Sequence, residues 1–518
     1  MRRLFRIVLF LGLIAGARAA VWADEGGIRL ASVDYEIMGV SNRSAVASYV
    51  GLEIGKVFPD EAALEAYIES ARRRIFNNRV FDPASTVEYT IEAAADGQRE
   101  ARATVKIVDS VSSVIVPLPK YSSSYGFCLA VRFKDYNFLG SLDLISLSLD
   151  YYSRSGEVDV GANGNIPFWL FGGKWEFYVD MDLSIPKDSD IVNDTYVRLM
   201  GMYPWQGKNL SWFVQPTVSF DSDPDEDTVT GAAGAALGVK YKLGLPWTLS
   251  TSASFVLKND TNVLSEYLSN GLTLSTAIPL LKLGSLGSLT FTPSTTVYVN
   301  TNFPTPAVDE TGWTSSASLS VGQVNWFGNF RKGASFSAKG TYTKRFIYDD
   351  ATDAWDGFVS VDASAFAVWK NLIGLNTRIV GRWYPDWTYL NDSNTDYDWD
   401  DDFRGRPGVF YGDIGAVLNI EIPVNMAQGR FFGADFLEAE VFFTPFLDIG
   451  FVRTDPDHEF SLEEYGLADC GFEFTVFPTK ARSFAYRLSL GYDLLDFIET
   501  KDFQASKLEI FLGLGTLF

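Results

Sequence analysis

The stretch DYDWDDDFRGRPGVFYGDIGAVLNIEIPV, residues 396–424, joins three kinds of sequence. Five aspartates fall within its first seven residues, an Arg-Gly-Arg triplet follows, and apolar and polar residues then alternate from Ile414 to Ile422. Alternation with a period of two is typical of a β-strand that has one apolar and one polar face. The stretch therefore predicts a strand that begins just after a loop in which acidic and basic residues lie side by side.

The region from about residue 122 to Phe518 repeats this alternation many times. Segments such as LDLISLSLDYYS (142–153) and KWEFYVDMDLS (174–184) are separated by turns and acidic loops. In a membrane-spanning strand of about 9 to 11 residues, one face meets lipid and the other meets a polar lumen. A water-soluble sandwich also alternates, but a stretch of roughly 400 residues usually divides into several domains. With aromatic residues at 15% of the chain, the pattern predicts a transmembrane antiparallel β-barrel over 122–518.

The first residues have the features of a secretory signal peptide, which we place at residues 1–19. Arginines precede an apolar run from Ile7 to Ala15, and small residues follow at Ala17 and Ala19. The run is too short to span a bilayer as a helix, which takes about 20 residues. We therefore expect an exported protein, located in the outer membrane of a bacterium that has two membranes.

Residues 28–117 predict a small α+β domain in front of the barrel. A helix capped by Asp60 and a shorter helix before it lie between the first alternating segment and the next two, which gives the order β-α-α-β-β. A segment with two prolines, SVSSVIVPLPKYSS (110–123), reads as a short linker to the barrel. The alternating segments are IRLASVDYEI (28–37), TVEYTIE (86–92) and ARATVKIV (101–108).

The composition disfavours several classes of function. The formal net charge of −22 at pH 7 argues against nucleic acid as a partner. The one histidine, His458, lies in an acidic run, which removes Ser-His and Cys-His catalytic pairs and histidine-rich metal centres. Without a nucleophile elbow or a phosphate-binding glycine loop, we predict no enzyme activity and no cofactor. Catalysis by carboxylates alone stays open.

Four acidic runs fall between strand candidates and predict solvated extracellular loops. They lack the glycine at the sixth position that an EF-hand calcium loop requires, so we predict no metal site. The two cysteines, Cys128 and Cys470, lie near the two ends of the predicted barrel, and a disulfide between them stays open. The acidic runs are residues 221–228, 348–356, 394–402 and 453–459.

Several ordered motifs resemble the BamA/TamA superfamily of outer-membrane assembly and translocation barrels. The sequence FRGR is similar to the family's loop-six motif, whose loop folds back into the barrel lumen; Arg404 and Gly405 match it, whereas Phe403 and Arg406 depart from the usual flanking residues. FLDIGFV (446–452), YRLSLGYDL (486–494) and the final FLGLGTLF resemble later strands of the family. The β-α-α-β-β order resembles one POTRA domain, the periplasmic module of these proteins. The resemblance implies a barrel of 16 strands.

Side-chain parity gives the resemblance a physical check. In the strand after the motif, the apolar row from Ala416 to Ile422 is expected to face lipid, which sends Glu421 into the lumen. In FLDIGFV the same reasoning sends Asp448 and Gly450 inward. A guanidinium inside a barrel needs carboxylates, so we predict that Arg404 holds the loop in the lumen through Glu421, Asp448 or both. Gly405 is expected to allow a tight backbone turn at the point of insertion.

The resemblance implies that the protein inserts or translocates client β-barrel or secreted proteins through a lateral seam. The strand near Tyr125 to Asp135 and the strand from Ser506 to Phe518 would form this seam, weakened by Gly513 and Gly515, with the terminal Phe518 as the barrel-assembly signal. The implied partners are outer-membrane lipids, client proteins and periplasmic accessory proteins. The alternative is a passive outer-membrane pore or surface adhesin of the same fold.

Overall fold

The structure is a computed structural model that describes most of the chain from residue 27 onward. The predicted signal, residues 1–19, lies outside the described residues, as do parts of all four acidic runs. The described ranges are 27–93, 99–122, 126–171, 173–187, 191–204, 209–223, 228–243, 245–260, 263–302, 308–347, 353–384, 397–399, 402–405, 411–430, 438–454, 461, 465–504 and 507–514.

The first part of the chain forms a four-stranded sheet with two helices. Its elements are β1 (Ile28–Met38), α1 (Arg43–Val50), β2 (Val57–Phe58), α2 (Glu61–Asn77), β3 (Thr86–Ala93) and β4 (Arg99–Val108). The strand order is β2-β1-β4-β3, with β1 and β4 parallel and β3 antiparallel to β4. Fully buried Leu64, Ile68 and Ile75 recur along one face of α2 and pack on the sheet with Val87 and Val105. This period of three to four is what buries a helix face against a sheet.

The rest of the chain forms one antiparallel sheet that closes into a barrel, as the sequence predicts. Its first eleven strands are β5 (Ser113–Ser122), β6 (Gly126–Asp135), β7 (Ile145–Tyr152), β8 (Val158–Leu170), β9 (Gly173–Ile185), β10 (Val192–Pro204), β11 (Leu210–Asp223), β12 (Thr228–Leu243), β13 (Leu245–Asp260), β14 (Val263–Thr276) and β15 (Ile278–Lys282).

The remaining barrel strands continue this order to the end of the chain. They are β16 (Ser288–Asn302), β17 (Val308–Phe327), β18 (Phe330–Ile347), β19 (Asp353–Trp369), β20 (Ile373–Trp383), β23 (Ile414–Glu421), β24 (Val424–Arg430), β25 (Glu438–Arg453), β26 (Gly466–Pro478), β27 (Tyr486–Asp493) and β28 (Glu509–Leu514). A separate two-stranded ribbon, β21 (Tyr397–Asp398) with β22 (Tyr411–Gly412), lies between β20 and β23, and helix α3 (Leu494–Thr500) follows β27.

The strand number differs from the 16 that the resemblance implies. Within the described ranges the closed sheet contains 22 strand segments. Two interrupted strands account for part of this number, because β14 and β15 both pair with β16, and β23 and β24 both pair with β25. Counting each interrupted pair as one strand leaves 20 barrel strands in the described part of the chain. Pro423 explains the interruption between β23 and β24, because proline has no N–H to donate to the neighbouring strand. The number implied by the resemblance is therefore wrong for this fold.

One extra strand is the segment that the sequence predicts as a linker. β5 pairs with β6 in an unbroken register from Ser113 to Ser122, although it contains Pro117 and Pro119. Proline is tolerated in a strand where its missing N–H faces away from a complete ladder. The barrel consequently begins at Ser113 rather than at residue 122, and the predicted domain boundary at residue 117 falls inside a strand.

The outward face of the barrel is apolar and carries two aromatic belts. Leu237 and Val239 in β12 and Leu272 and Leu274 in β14 are exposed at every second position. Exposed aromatic side chains gather near the two ends of the strands, as girdles do at the two surfaces of a membrane. At the end that meets the N-terminal domain these are Trp212, Tyr241, Trp247, Phe327 and Trp369, and at the other end they are Tyr151, Trp313, Phe346, Trp355 and Trp383.

Neither of the two cysteines forms a disulfide. Cys128 lies in β6 opposite Tyr152, and Cys470 lies in β26 opposite Leu447. Neither strand borders the β28–β5 closure, so the disulfide that the sequence left open is absent here. No helix within the described ranges is long and apolar enough to cross a membrane.

The cap of α2 provides a test of the N-terminal domain. The Ala63 N–H donates a 2.7 Å hydrogen bond to the Asp60 carboxylate. Removing such a cap costs about 1 kcal/mol, so Asp60→Ala should speed amide exchange in Glu61–Asn77 about fivefold. Hydrogen–deuterium exchange of the whole protein measures this, and Asp60→Ser, which retains a capping oxygen, is the control. Equal exchange in both variants would contradict a capping role.

Candidate functional site in the barrel lumen

A short segment between the β21–β22 ribbon strands, residues 402–405, lies inside the barrel. Phe403 is 1% exposed and packs with Trp399 in a buried cluster. The cluster takes Val380 from β20, Val417 from β23 and Val452 from β25. Each of these valines points into the lumen from its strand, so the loop is held by apolar contacts with three barrel strands. This packing delivers the next residue, Arg404, to the lumenal face.

The Arg404 guanidinium is surrounded by carboxylates. Its Nε and Nη2 donate to the two oxygens of Asp448 at 2.9 and 2.6 Å, which is a bidentate pair. Its Nη1 donates to Glu421 at 2.6 Å and to Glu473 at 3.3 Å. The guanidinium carbon also lies 3.7 Å from the centroid of the Phe446 ring. One cation thereby contacts three strands, β23, β25 and β26.

Burial makes these contacts strong and their loss costly. The Arg404 side chain is 6% exposed, and Asp448 is fully buried. Burial lowers the pKa of Arg404, but the hydrogen bond to Asp448 and the charges of Asp448, Glu421 and Glu473 outweigh it and raise the pKa above its ordinary value. Arg404 therefore stays charged at any working pH. Breaking one partner of such a buried pair costs about 3–5 kcal/mol, because the other charge is left uncompensated.

A second set of contacts fixes the residues around Arg404. Asn419 donates through Nδ2 to the Asp402 carbonyl at 2.8 Å and to Asp448 at 2.9 Å. Arg378 in β20 forms a 2.7 Å ion pair with the buried Asp402 carboxylate. The Gly405 N–H donates to Asp469 at 3.1 Å. The loop backbone and its carboxylate partners are therefore positioned by the wall on both sides.

Glycines make room for the loop to lie against the wall. A Cβ built at Gly405 would lie 2.6 Å from the Tyr492 backbone carbon, and one at Gly491 would lie 2.6 Å from the Arg404 carbonyl carbon. A Cβ at Gly450 would lie 2.9 Å from the Phe403 ring. The backbone does turn at Arg404 and Gly405, as predicted, but Gly405 has no left-handed φ, so its φ alone does not require a glycine there. Its role is close approach of two backbones.

The structure brings six of the predicted site residues together and leaves others apart. Phe403, Arg404, Gly405, Glu421, Asp448 and Gly450 all belong to this cluster. Gly513 is elsewhere, in β28, where it pairs with Arg487 beneath the Phe511 ring. The predicted residues Arg406, Gly515 and Phe518 lie outside the described residues.

Sequence reasoning missed several members of the cluster. Glu473 and Asp469 in β26 and Phe446 in β25 share the inward parity of their strands, so alternation could have found them. Gly491 had no such signal, because its importance arises from contact with a loop about ninety residues earlier in the chain. The described residues include no group of three or more side chains arranged to hold a metal ion.

Comparisons with known proteins give structural similarity alone. No family profile matches the sequence, and no curated protein is similar to it. Among solved structures, CdiB from Acinetobacter baumannii is 11% identical with a TM-score of 0.42, covering 90% of this chain and 70% of that one. BamA from Haemophilus ducreyi lacking POTRA domains 1-3 is 12% identical, with a TM-score of 0.34 and coverages of 94% and 83%. CdiB from Escherichia coli is 12% identical, with a TM-score of 0.38 and coverages of 96% and 92%.

Removing the guanidinium should release the loop. In Arg404→Ala the buried carboxylates of Asp448 and Glu421 lose their counter-ion, so we expect about 3–5 kcal/mol less stability. Protease added outside intact cells should then cut near Trp399. The control is Arg382→Ala, which removes a more exposed pair with Asp362. Unchanged stability and unchanged cleavage in Arg404→Ala would refute the pinning role.

A glycine outside the motif should have the same effect. Gly491→Ala would press a methyl group into the Arg404 backbone, so we expect the loop to become accessible to protease while Arg404 is retained. Gly231→Ala in β12 is the matched control, because nothing lies within 4 Å of a Cβ there. Equal protection of the loop in the two variants would show that the close approach is not needed.

Proposed function

We propose that this chain is an outer-membrane barrel of the BamA/TamA type, which inserts or translocates client β-proteins through a lateral seam between β28 and β5. In this proposal the N-terminal domain is a POTRA-like module on the periplasmic side. The protein uses no cofactor and performs no enzymatic chemistry. Its partners are outer-membrane lipids, client barrel or secreted proteins, and periplasmic accessory proteins.

The apolar outer face supports the membrane location. Leucines and valines exposed at alternate positions would be costly in water, and exposed aromatic residues near both ends of the strands are what a barrel carries at the two membrane interfaces. The inward positions carry buried polar groups such as Asn419, Glu421 and Asp448, which pair with one another or with the loop. A barrel that is apolar outside and polar inside suits a lipid bilayer.

The weak closure of the barrel is the observation that carries the proposal. Over the described residues, the register of β28 against β5 is defined at one pair, Ile510 with Tyr121, whereas β28 pairs with β27 at six positions. Pro117 and Pro119 lie in β5, whose ladder with β6 is unbroken, so their missing N–H groups are expected to face β28. Because β5 has two fewer backbone N–H groups to donate to β28, the barrel is expected to open most easily between these two strands.

The proposed seam also replaces part of the predicted one. The strand from residue 126 to Asp135, β6, is bordered by β5 and β7 and has no free edge. β5 takes its place opposite β28. In the N-terminal domain, β3 is an edge strand of its sheet, which suits capture of a client strand by β-augmentation.

Locking the seam tests the function. Tyr121→Cys with Ile510→Cys, in a chain with Cys128→Ser and Cys470→Ser, places two thiols at paired positions, where Cα separations suit a disulfide. We expect oxidation to lower the amounts of other outer-membrane barrels in cells that depend on this protein, and reduction to restore them. A census of outer-membrane proteins measures the change.

The matched control cross-links two neighbouring strands that do not have to separate in the proposed mechanism. Leu488→Cys with Leu512→Cys joins β27 to β28 in the same cysteine-free chain. Oxidation of this pair should leave the other barrels unchanged. If oxidation of the Tyr121–Ile510 pair also changes nothing, the protein is a passive pore or adhesin of this fold, and the insertion proposal fails.

A further inference from the structure

A pocket rich in arginine lies where the N-terminal domain meets the barrel. Arg79, just after α2, packs against the turn between β17 and β18, with its guanidinium carbon 4.2 Å from the centroid of the Trp326 ring. Arg482 and Ser483 enter from the turn between β26 and β27, and Arg331 from the start of β18. Three guanidinium groups from two parts of the fold therefore line one pocket.

The partners of Arg79 and Arg482 are neutral. Arg79 donates through Nε to the Arg482 carbonyl and through Nη2 to the Asn329 side chain at 2.5 Å. Arg482 donates through Nη1 to the Phe81 carbonyl at 3.1 Å. Both arginines are 9% exposed, and within the described ranges the hydrogen bonds of both go to carbonyl and amide oxygens and neither arginine has a carboxylate within ion-pair distance. Each cation is thus desolvated without a counter-charge at hydrogen-bond distance.

Two donors in this pocket point at no acceptor. Arg79 Nη1 is buried without a hydrogen-bond partner, and so is the Ser483 hydroxyl. Buried polar groups of this kind are uncommon and call for a bound group or ion. A single oxyanion between Arg79 and Ser483 would accept from both and would provide the missing negative charge.

The charge balance around Arg79 favours an anion over a neutral ligand. Burial, followed by the positive charges of Arg482 and Arg331, lowers the pKa of Arg79 to about 9, and Glu440 offsets this only in part. The carboxylate of Asp82 acts on Arg482 in the same compensating direction. An oxyanion would stabilise the disfavoured charged form of Arg79, whose Nη1 has no hydrogen-bond partner in the chain and could donate to it.

The walls of the pocket define the rest of the ligand. Trp326 and Phe477 lie beneath Arg79, and Phe484 packs edge-on against Tyr136 with ring centroids 5.3 Å apart. Aromatic walls beside a cationic floor suit an anion that carries an apolar or aromatic group. Trp326 and Tyr136 are only partly buried, so an apolar or aromatic group attached to the anion would cover surface that a small inorganic ion would leave exposed.

We propose that this pocket binds an oxyanion, a carboxylate or a phosphate, attached to an apolar or aromatic group, with the anion held by Arg79, Arg482 and Ser483. Because Arg79 belongs to the N-terminal domain and the other two to the barrel, the bound anion joins the two parts. Binding and docking of the domain are then coupled, and each stabilises the other by the same free energy. This inference is independent of the insertion proposal.

Calorimetric titration of the full-length protein in detergent tests the site with three probes. N-acetyl-L-phenylalanine carries a carboxylate, phenyl phosphate carries a phosphate, and N-acetyl-L-phenylalaninamide has a similar shape without charge. We expect saturable binding of at least one anion at a single site and no binding of the amide. The anion that binds more tightly identifies the source of the oxyanion.

Substitutions in the pocket decide whether this is the site. Arg79→Gln and Ser483→Ala should each weaken anion binding by about tenfold, because each removes one donor to the anion. Arg345→Gln, which disrupts a pair with Asp356 far along β18, should leave it unchanged. Ser483→Ala removes only a hydroxyl, so it keeps the test valid if Arg79→Gln fails to fold.

Three outcomes would overturn the assignment. Neither anion binds, or the neutral amide binds as tightly as the anions, or both substitutions leave the affinity for the anion unchanged. If neither anion binds, Arg79 Nη1 and the Ser483 hydroxyl are hydrogen-bonded by water alone. If both substitutions leave the affinity unchanged, the anion binds at another site. None of these outcomes affects the seam experiment, so the two proposals fail independently.

Discussion

One desolvated guanidinium organises the interior of this barrel. Arg404 is buried, so the carboxylates of Glu421, Asp448 and Glu473 supply the hydrogen bonds and the negative charge that water supplies to an exposed arginine. The carboxylates come from three different strands, whose inward positions are otherwise too polar to bury. The loop and the barrel wall therefore stabilise each other. The carboxylates of the wall neutralise Arg404, and Arg404 provides the counter-ion that these buried carboxylates need.

Much of this cluster could be predicted because strand parity is a strict rule. Once the apolar row of β23 is assigned to the outside, Glu421 must point inward, and the same holds for Asp448 in β25. The prediction of a linker before the barrel was wrong because the local preference of proline competes with the barrel pairing of the same segment. Pro117 and Pro119 indicate a linker by their local preference, yet a strand at a weak edge tolerates both. The cost of Gly491 substitution depends on a contact with Arg404 that no local pattern encodes.

The barrel lumen and the junction between the N-terminal domain and the barrel use arginine in opposite ways. In the lumen, Arg404 is surrounded by more negative charge than it can neutralise, whereas at the domain junction Arg79 and Arg482 lack a carboxylate at bonding distance. In the first arrangement, Arg404 finds all of its carboxylate partners within the chain. The second is incomplete within the chain, so the strength of domain docking depends on what the surroundings supply.

The three-strand origin of the Arg404 partners has a consequence for how the barrel is assembled. A strand that slips by one residue turns its carboxylate to the lipid face, and a slip of two residues moves it about 7 Å along the wall. In either case the loop loses a partner and cannot seat. The contacts of the loop therefore require the correct register of β23, β25 and β26. Insertion of the loop into the lumen favours the barrel in which these strands are correctly paired.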